Sequence, residues 1–477
     1  MFIEPENLES DGAEIIDTCV FGSGPAGMTL ALKLAKAGQQ VVLVEAGAQE
    51  YEDWSQAHYE GTVIGDAYHP LDAARLRMFG GSSNHWAGHS IPLEAEDYTP
   101  RPYAAHTGWP ISINDVAPYL AEACDILEIP NDFAEIAYSD ITRKTRFQWS
   151  PPVVFSEKYG EEIAASSNLR VVLETALVGF QQDGAQISAA RLRTRDGQTY
   201  TLRARQFVMC LGGIENSRML LWMNAENNHA LIENRDLIGR YWMEHPHVQL
   251  GEVLFENLTP DFFYNDEATF SLTRARQDEA KILNAALQVE RYSYSATKAL
   301  IADVACVAPA LGTRLLHGLG KKLVCGARLH GQWEQAPVAD NRVTLGRERD
   351  AFGIPKTELY WQRSRTDQKT IAETTRIFAE DLAQAGLGRV RLAQWIERDT
   401  MVPDEDMMAI WHHMGGTRMS DDPARGLVDK NLKVHGLGNL YIGGSSVFPT
   451  GGYANPTLMI VQMSLRLAAH LEHVQSN

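Results

Sequence analysis

The sequence predicts an α/β (α+β) chain of two parts, a domain built on a strand–helix–strand unit and a second domain that is mostly antiparallel sheet. Three observations predict it. The segment EIIDTCVFGSGPAGMTLALKLAKAGQQVVLVEAG, residues 14–47, reads as strand, glycine turn, small-residue helix and second strand. Between about 246 and 404 the texture changes to β-prone runs such as VQLGEVLF, AALQVERYSY and RVTLGRERD. The tail GNLYIGGSSVFPTGGYANPTLMIVQMSLRLAAHL gives a strand, a Gly/Pro turn and a helix apolar on nearly every face, hence buried. The chain is therefore expected to return to its first domain, which takes 1–245 and 405–477 and leaves 246–404 as the second.

The intervening elements follow in order. Residues 50–110 are too rich in Gly, Pro and Tyr for regular elements and hold a dense island, RLRMFGGSSNHWAGHSIP; a loop of that length is usually functional. PISINDVAPYLAEACDIL, 110–127, reads as a capped helix starting near Asn114 or Asp115. Residues 169–213 alternate like strands, with turns at Asp183-Gly184 and Asp196-Gly197, and end in a strand–Gly–helix passage, FVMCLGGIENSRMLLWM. A helix is expected from about 365 to 386.

Composition narrows the function classes. With 477 residues, 44% of them apolar, the chain can bury a large core. A formal charge of −18 supplies no basic face for phosphate backbones or anionic lipid, so neither nucleic acid nor a membrane surface is expected as a partner. Cys19, Cys124, Cys210, Cys306 and Cys325 are scattered, without metal or disulfide-exchange spacing, and read as reduced buried thiols. No metal site is expected. No basic start with an apolar stretch opens the chain, and no run reaches the roughly 18 apolar residues of a membrane span. A cytoplasmic enzyme is the expectation.

Gly22-Ser23-Gly24-Pro25-Ala26-Gly27 is a G-x-G-x-x-G turn set between a strand and a helix, and Glu45 ends the next strand 18 residues past Gly27. The first glycine permits the tight turn, the second lets a pyrophosphate approach the backbone, and the third lets helix and strand pack closely. Free N–H groups at the helix start hold phosphates, while Glu45 can accept from a ribose. A Rossmann-like unit followed by a long irregular island and a late return suits a resident FAD better than an exchangeable nicotinamide. In the island, small residues from Gly80 to Gly88 let backbone pass close to a flat ring system, and Ser83 and Asn84 can hydrogen-bond it. His85 is open between a structural role, a hydrogen-bonding role and covalent attachment to the flavin.

Taken together, GSGPAG with Glu45, RLRMFGGSSNHWAG, FVMCLGGIENSRMLL, and WHHMGGTRMS through YIGGSSVFPTGGYANPTLM resemble, in that order, the glucose-methanol-choline (GMC) oxidoreductases, FAD enzymes that oxidise alcohols. The resemblance implies a Rossmann-like FAD-binding domain with a mostly antiparallel substrate domain at 246–404. It implies cofactor contacts from Gly22, Gly24, Pro25, Ala26, Gly27, Glu45, Ala46 and Arg77. Gly80, Gly81, Ser82, Ser83, Asn84, His85, Trp86, Ala87 and Gly88 join them from the island. Val178, Cys210, Gly212, Gly444, Ser445, Asn455, Pro456 and Thr457 complete the set.

The family's general base is a histidine followed by two residues and then Gly-Thr, which selects His413 over His412, and its partner corresponds to Asn455. An alcohol carbon gives up hydride to flavin N5 only as its hydroxyl proton leaves, so a base with a pKa near neutrality is needed. Asn455 can donate to the same oxygen without competing for the proton. Pro456 opens the last helix, whose positive end would favour the anion formed on reduction.

His85-Trp86 is similar to the pyranose oxidase and sugar dehydrogenase branch, some of whose members carry covalent FAD through the matching histidine; noncovalent FAD is the primary expectation. Gly444 stands where many members have Asp. GRYWMEHPHV, 239–248, is also similar to that branch, with Glu244 and His245 either beside the site or in local packing. The reading is oxidation of a CH–OH group on a sugar, glycoside, aminosugar or cyclitol, with oxygen, a quinone or a carrier protein as electron acceptor and an oligomer allowed. Polar residues such as Arg274, Arg276 and Arg291 point to a polar ligand. The alternatives are a redox-neutral enzyme on the same fold, a lyase or photodecarboxylase, and a non-sugar alcohol as substrate.

Overall fold

The computed structural model describes residues 1–8, 16–228, 230–255, 263–264, 267–291, 327–408 and 411–476. Cys306 and Cys325, and the end of AALQVERYSY beyond Arg291, lie outside the described residues. The N-terminal unit is β1 (Ile16–Phe21), α1 (Pro25–Lys36) and β2 (Val41–Val44). Gly38, at φ 91°, turns the chain out of α1.

Within 50–110, where no regular element is expected, β3 (Gly61–Gly65) forms by pairing with a strand some 300 residues away. The helix expected over 110–127 is shorter. Ser112 donates from its N–H and hydroxyl to Asp115, starting two 3₁₀ turns, and only α2 (Leu120–Leu127) is α-helical. Pro118 lies between, and its ring and missing N–H keep an α-helix from running through the preceding turn.

β4 (Leu169–Val172) is followed by an antiparallel meander of β5 (Thr175–Asp183), β6 (Gln186–Thr194) and β7 (Thr199–Leu202), then β8 (Ala204–Met209) and α3 (Glu215–Glu226). Beyond come β9 (His247–Phe255), β10 (Glu267–Leu272), β11 (Ala285–Arg291), β12 (Ala327–Trp333), β13 (Arg342–Arg349) and β14 (Pro355–Trp361). α4 (Arg365–Gln384), capped by Ser364, β15 (Gly388–Leu392), β16 (Leu440–Ile442) and α5 (Pro456–Ser476) close the chain.

β1, β2, β4, β8 and β16 make a parallel sheet in the order β16-β8-β1-β2-β4. Both faces are covered, so its strands are nearly continuous apolar runs. β1 is central, with β2 on one side and β8 on the other, and a crevice opens at their carboxyl ends. α5 packs on α1, which explains its all-round apolar sequence.

The second large sheet is antiparallel, ordered β15-β9-β12-β11-β10 and extended by the short strands Thr142–Thr145 and Ile136–Ala137. Alternation gives it two unlike faces. Val248, Leu250, Phe270, Leu287, Val289 and Leu329 form one core with Ile371, Phe378 and Leu382 of α4. The intervening residues His247, Gln288, His330 and Gln332 turn the other way. RVTLGRERD does not join this sheet: β13 pairs with β14, and β14 with β3. Cys19, Cys124 and Cys210 are buried free thiols, and no helix among the described residues is long and apolar enough to cross a membrane.

Candidate active site

A cavity of about 490 Å³ runs from the glycine turn after β1, past the island, to the start of α5 and the polar face of the antiparallel sheet. Its walls come from both sheets. At the turn, Gly22 has φ 96°, and a Cβ there would sit 2.5 Å from the Cys210 carbonyl oxygen. A Cβ on Gly27 would sit 1.9 Å from the Gly22 oxygen, whereas one on Gly24 would meet nothing within 4 Å. Thus Gly22 and Gly27 close the strand–helix packing, and Gly24 leaves open space at the N-terminus of α1, beside Pro25 and Ala26.

Glu45 holds this turn together. Its Oε2 accepts from the Ser23 N–H at 2.9 Å and the Ser23 hydroxyl at 2.7 Å, and Oε1 accepts from the Gly47 N–H at 2.8 Å. The Ser23 hydroxyl in turn accepts from the Gly80 N–H at 3.0 Å, which ties the island to the turn. Arg77 donates to the Ala46 oxygen at 3.1 Å, and both residues line the cavity.

Ser83 and Asn84 of the island are hydrogen-bonded within the loop and to the segment at Phe155 and Ser156. The Ser83 hydroxyl donates to the Gly80 oxygen at 2.7 Å and accepts from the Phe155 N–H at 3.2 Å. Asn84 donates to the oxygens of Phe79 and Gly81, and its own oxygen accepts from the Ser156 hydroxyl. A 3₁₀ turn at Gly81–Asn84 leaves backbone groups unpaired, and these two side chains satisfy them. Ser83 lines the cavity wall, and Asn84 does not. The Trp86 indole donates to the Val153 oxygen at 2.9 Å; His85 stacks on Trp411, ring centres 5.6 Å apart. Ser82, Ala87 and Gly88 also reach the wall.

Val178 does not line the cavity; Ala176 and Leu177 of β5 do. Gly179 opposes Arg191 and Leu177 opposes Leu192, so Val178 is the extra residue of a bulge and leaves the pleat's alternation. Cys210, Gly212 and, at φ 91°, Gly444 line the crevice, and the Ser445 hydroxyl donates to the His413 carbonyl oxygen at 2.6 Å. A Cβ on Gly213 would sit 2.5 Å from that same oxygen, so a glycine is required where His413 passes.

The paired histidines reach the wall with different partners. His412 Nδ1 lies 3.0 Å from His245 Nδ1; His413 Nε2 lies 3.1 Å from the Tyr68 hydroxyl and 4.0 Å from Glu244 Oε2. Asn455 Oδ1 accepts from Gln332 Nε2 at 2.9 Å, and Pro456 and Thr457 follow it on the wall. His247 Nε2 and His330 Nδ1 share a hydrogen bond at 2.7 Å. Burial, with Arg75 and His85 nearby, pushes the His413 imidazole down to about 3, below the near-neutral value expected of the base. It is therefore neutral and unprotonated at any ordinary pH. Burial also lowers His245 and His330 to about 4 and His247 to about 3. No group of metal-ligating side chains is present among the described residues.

Residues 16–62 match the FAD binding domain model, and residues 337–464 match the GMC oxidoreductase model. The fructose dehydrogenase large subunit of Gluconobacter japonicus is 22% identical over 95% of this chain and 97% of its own. The 2-methyl-1,2-propanediol dehydrogenase of Mycolicibacterium austroafricanum is 23% identical over 96% of this chain and 95% of its own. The chain belongs to the GMC oxidoreductase family. Pyridoxine 4-oxidase from Mesorbium loti shares the fold at a TM-score of 0.61 and 17% identity, over 96% of this chain and 99% of that one. As a GMC oxidoreductase it is an FAD-dependent enzyme acting on CH–OH donors.

The residues present fit FAD. The space over Gly24, the α1 N-terminus, Glu45 and the wall from His85 to Asn455 form one continuous cavity. In this GMC oxidoreductase, three contributors escaped the sequence reading: Tyr68, Gln332 and the row Gln288–His330. The alternation in AALQVER and ARLHGQW carried a signal for the last two, polar residues at every second position of otherwise apolar strands. Tyr68 carried none.

Proposed function

We propose that the enzyme oxidises a secondary or primary hydroxyl of a sugar, glycoside, aminosugar or cyclitol, with His413 as the base and Asn455 as the orienting donor. The observation that carries this is the polar face of the antiparallel sheet. His247, Gln288, His330 and Gln332 line the same cavity as His413 and Asn455, giving hydrogen-bonding groups to a ligand rich in hydroxyls. A fatty-acid decarboxylase needs an apolar tunnel, whereas this wall carries four hydrogen-bonding side chains from the sheet. The two dehydrogenases compared above act, by their names, on a sugar and a diol, which supports the same reading.

The neutral His413 imidazole takes the hydroxyl proton, and the Asn455 amide, whose oxygen is held by Gln332, donates to the oxygen that loses it. FAD, when bound, supplies the hydride acceptor. The positive end of α5 at Pro456 favours negative charge beside it. We assign cofactor binding to 1–245 and 405–477 and substrate binding to 246–404, with the β13–β14 hairpin as the seam because it pairs with β3.

Anaerobic mixing with a panel of sugars, glycosides, cyclitols and simple alcohols tests the reading. Bleaching of the flavin band by at least one polyhydroxylated compound, faster than by any simple alcohol, is expected. No bleaching by any alcohol would overturn it. Reoxidation of the bleached enzyme by oxygen, a quinone or a carrier protein then names the acceptor, and colour left in an acid supernatant shows that His85 holds no covalent flavin.

A further inference from the structure

The polar row of the antiparallel sheet does not end at the active cavity. His330 faces Gln288 across β12–β11, Gln288 faces Thr269 across β11–β10, and Thr269 faces Thr145 on the next strand. Directly opposed residues share one face of a sheet. The row therefore leaves the first cavity at Gln288 and enters a second, of about 360 Å³, at Thr269 and Thr145. Glu267 lines both cavities. The two walls also meet where the His89 ring, on the first, lies 3.6 Å centre to centre from the Trp149 ring, on the second.

Glu267 is a carboxylate that lacks a cation. Thr269 Oγ1 donates to its Oε1 at 2.9 Å, and the Gln288 amide is a second donor. Among the described residues the one charge acting on it is another carboxylate, Glu290, which faces it across β10–β11 and is itself paired to Arg328 at 3.6 Å. Burial and Glu290 raise the Glu267 carboxyl above its ordinary value, so a positive partner is what its ionised form calls for. On the first-cavity side the His247 ring is 7% exposed and its Nδ1 has no partner, a buried polar atom left to a ligand. The second cavity adds aromatic faces, since Trp149 and Tyr264 on its wall are each 39% exposed. Its own cations are engaged: Arg146 pairs with Asp132 at 2.6 Å and lies over the Tyr264 ring, and Lys144 is not free.

We propose that the two cavities form one substrate site for an amino-substituted glycoside of at least two rings, with Glu267 binding its ammonium at the junction. The ring to be oxidised lies on the polar face at His247 and Gln332, and the second ring lies on Trp149 and Tyr264. The inference rests on the reading of the first cavity as the place where a hydroxyl-rich substrate is oxidised, and narrows it. A neutral sugar would leave Glu267 desolvated without a counter-charge, whereas an ammonium supplies charge-assisted hydrogen bonds to it. An anionic substrate would meet both Glu267 and Glu290 and be repelled.

The probe is chitobiose, a disaccharide of two glucosamine rings, compared with its N-acetylated form, which keeps the skeleton without the charge, and with cellobiose, its hydroxyl counterpart. Calorimetric titration of the oxidised, flavin-loaded enzyme should give an affinity for chitobiose about 10- to 100-fold above that for either neutral disaccharide. Glu267→Gln should remove that preference and Glu267→Asp should restore part of it. Trp149→Ala should weaken chitobiose by about tenfold and the single ring glucosamine by no more than about twofold. In turnover the loss in Glu267→Gln should fall on KM rather than kcat. Equal affinity of the wild type for chitobiose and its N-acetylated form, or a preference that survives Glu267→Gln, overturns the proposal. The comparison of the three sugars needs no variant, so it decides the matter even where Glu267→Gln does not fold. Flavin reduction by neutral sugars with no preference for the amine overturns this proposal alone. Binding with the preference but no reduction by any sugar overturns the oxidation reading instead.

Discussion

Gln332 Nε2 donates to Asn455 Oδ1 at 2.9 Å, so the antiparallel sheet reaches across the cavity and fixes the amide at the start of α5. The same nitrogen also reaches the Tyr453 oxygen at 2.5 Å, and Gln332 is buried. Gln332→Leu keeps the volume and removes the donor. Flavin content should remain, while substrate reduction of the flavin slows by roughly 10- to 100-fold because Asn455 is free to turn. Stopped-flow absorbance at the flavin band checks this.

Gly27→Ala tests the glycine turn. The new Cβ would lie 1.9 Å from the Gly22 carbonyl oxygen, which is backbone and cannot step aside without opening the turn. The expected outcome is a protein that binds little or no FAD and loses about 1–3 kcal/mol of stability. Gly24→Ala, with nothing within 4 Å of its Cβ, should keep its stability and lose flavin affinity. Flavin content and thermal unfolding separate the two.

The buried histidines and acids set a pH window for stability. His245, His247, His330 and His413 have folded values of about 3 to 4 against 6.5 unfolded, so their contribution is full above 6.5 and is lost as pH falls toward those values. Each histidine can forfeit up to about 2 kcal/mol between pH 6.5 and 5. Glu244 and Asp367, raised by burial to about 7 and 6, act with the opposite sign. Their contribution is full below the unfolded carboxylate value and is lost as pH rises through those folded values. The four histidines outweigh the two acids, so Tm should fall as pH drops from about 7 toward 5. Glu244→Gln removes a contribution that opposes the histidines between pH 4.5 and about 7, so the fall in its Tm on the acid side should be steeper.

What was legible in the sequence was local. G-x-G-x-x-G, the strand before it and the acid after it lie within one 30-residue unit, and their spacing alone dictates turn, helix and pairing. The helix capped by Ser364 was likewise local. Contacts between distant segments were not legible. Tyr68 meets Glu244 across 176 residues, and β3 exists only because β14 lies beside it. Composition of the island suggested ligand contacts for Ser83 and Asn84 but gave no sign that both side chains also bond the backbone of a tight turn. A near-neutral base was expected from the chemistry. The burial that depresses His413 is a property of the assembled cavity, which no local pattern encodes.

The central claim is that His413, and not its neighbour, takes the substrate proton. The direct measurement is the rate of anaerobic flavin reduction, with the best substrate of the panel, in His413→Ala and His412→Ala, each with its flavin content matched to wild type. His413→Ala should be slower by about 10²- to 10⁴-fold and His412→Ala by no more than about tenfold. Equal losses, or a larger loss in His412→Ala, would contradict it.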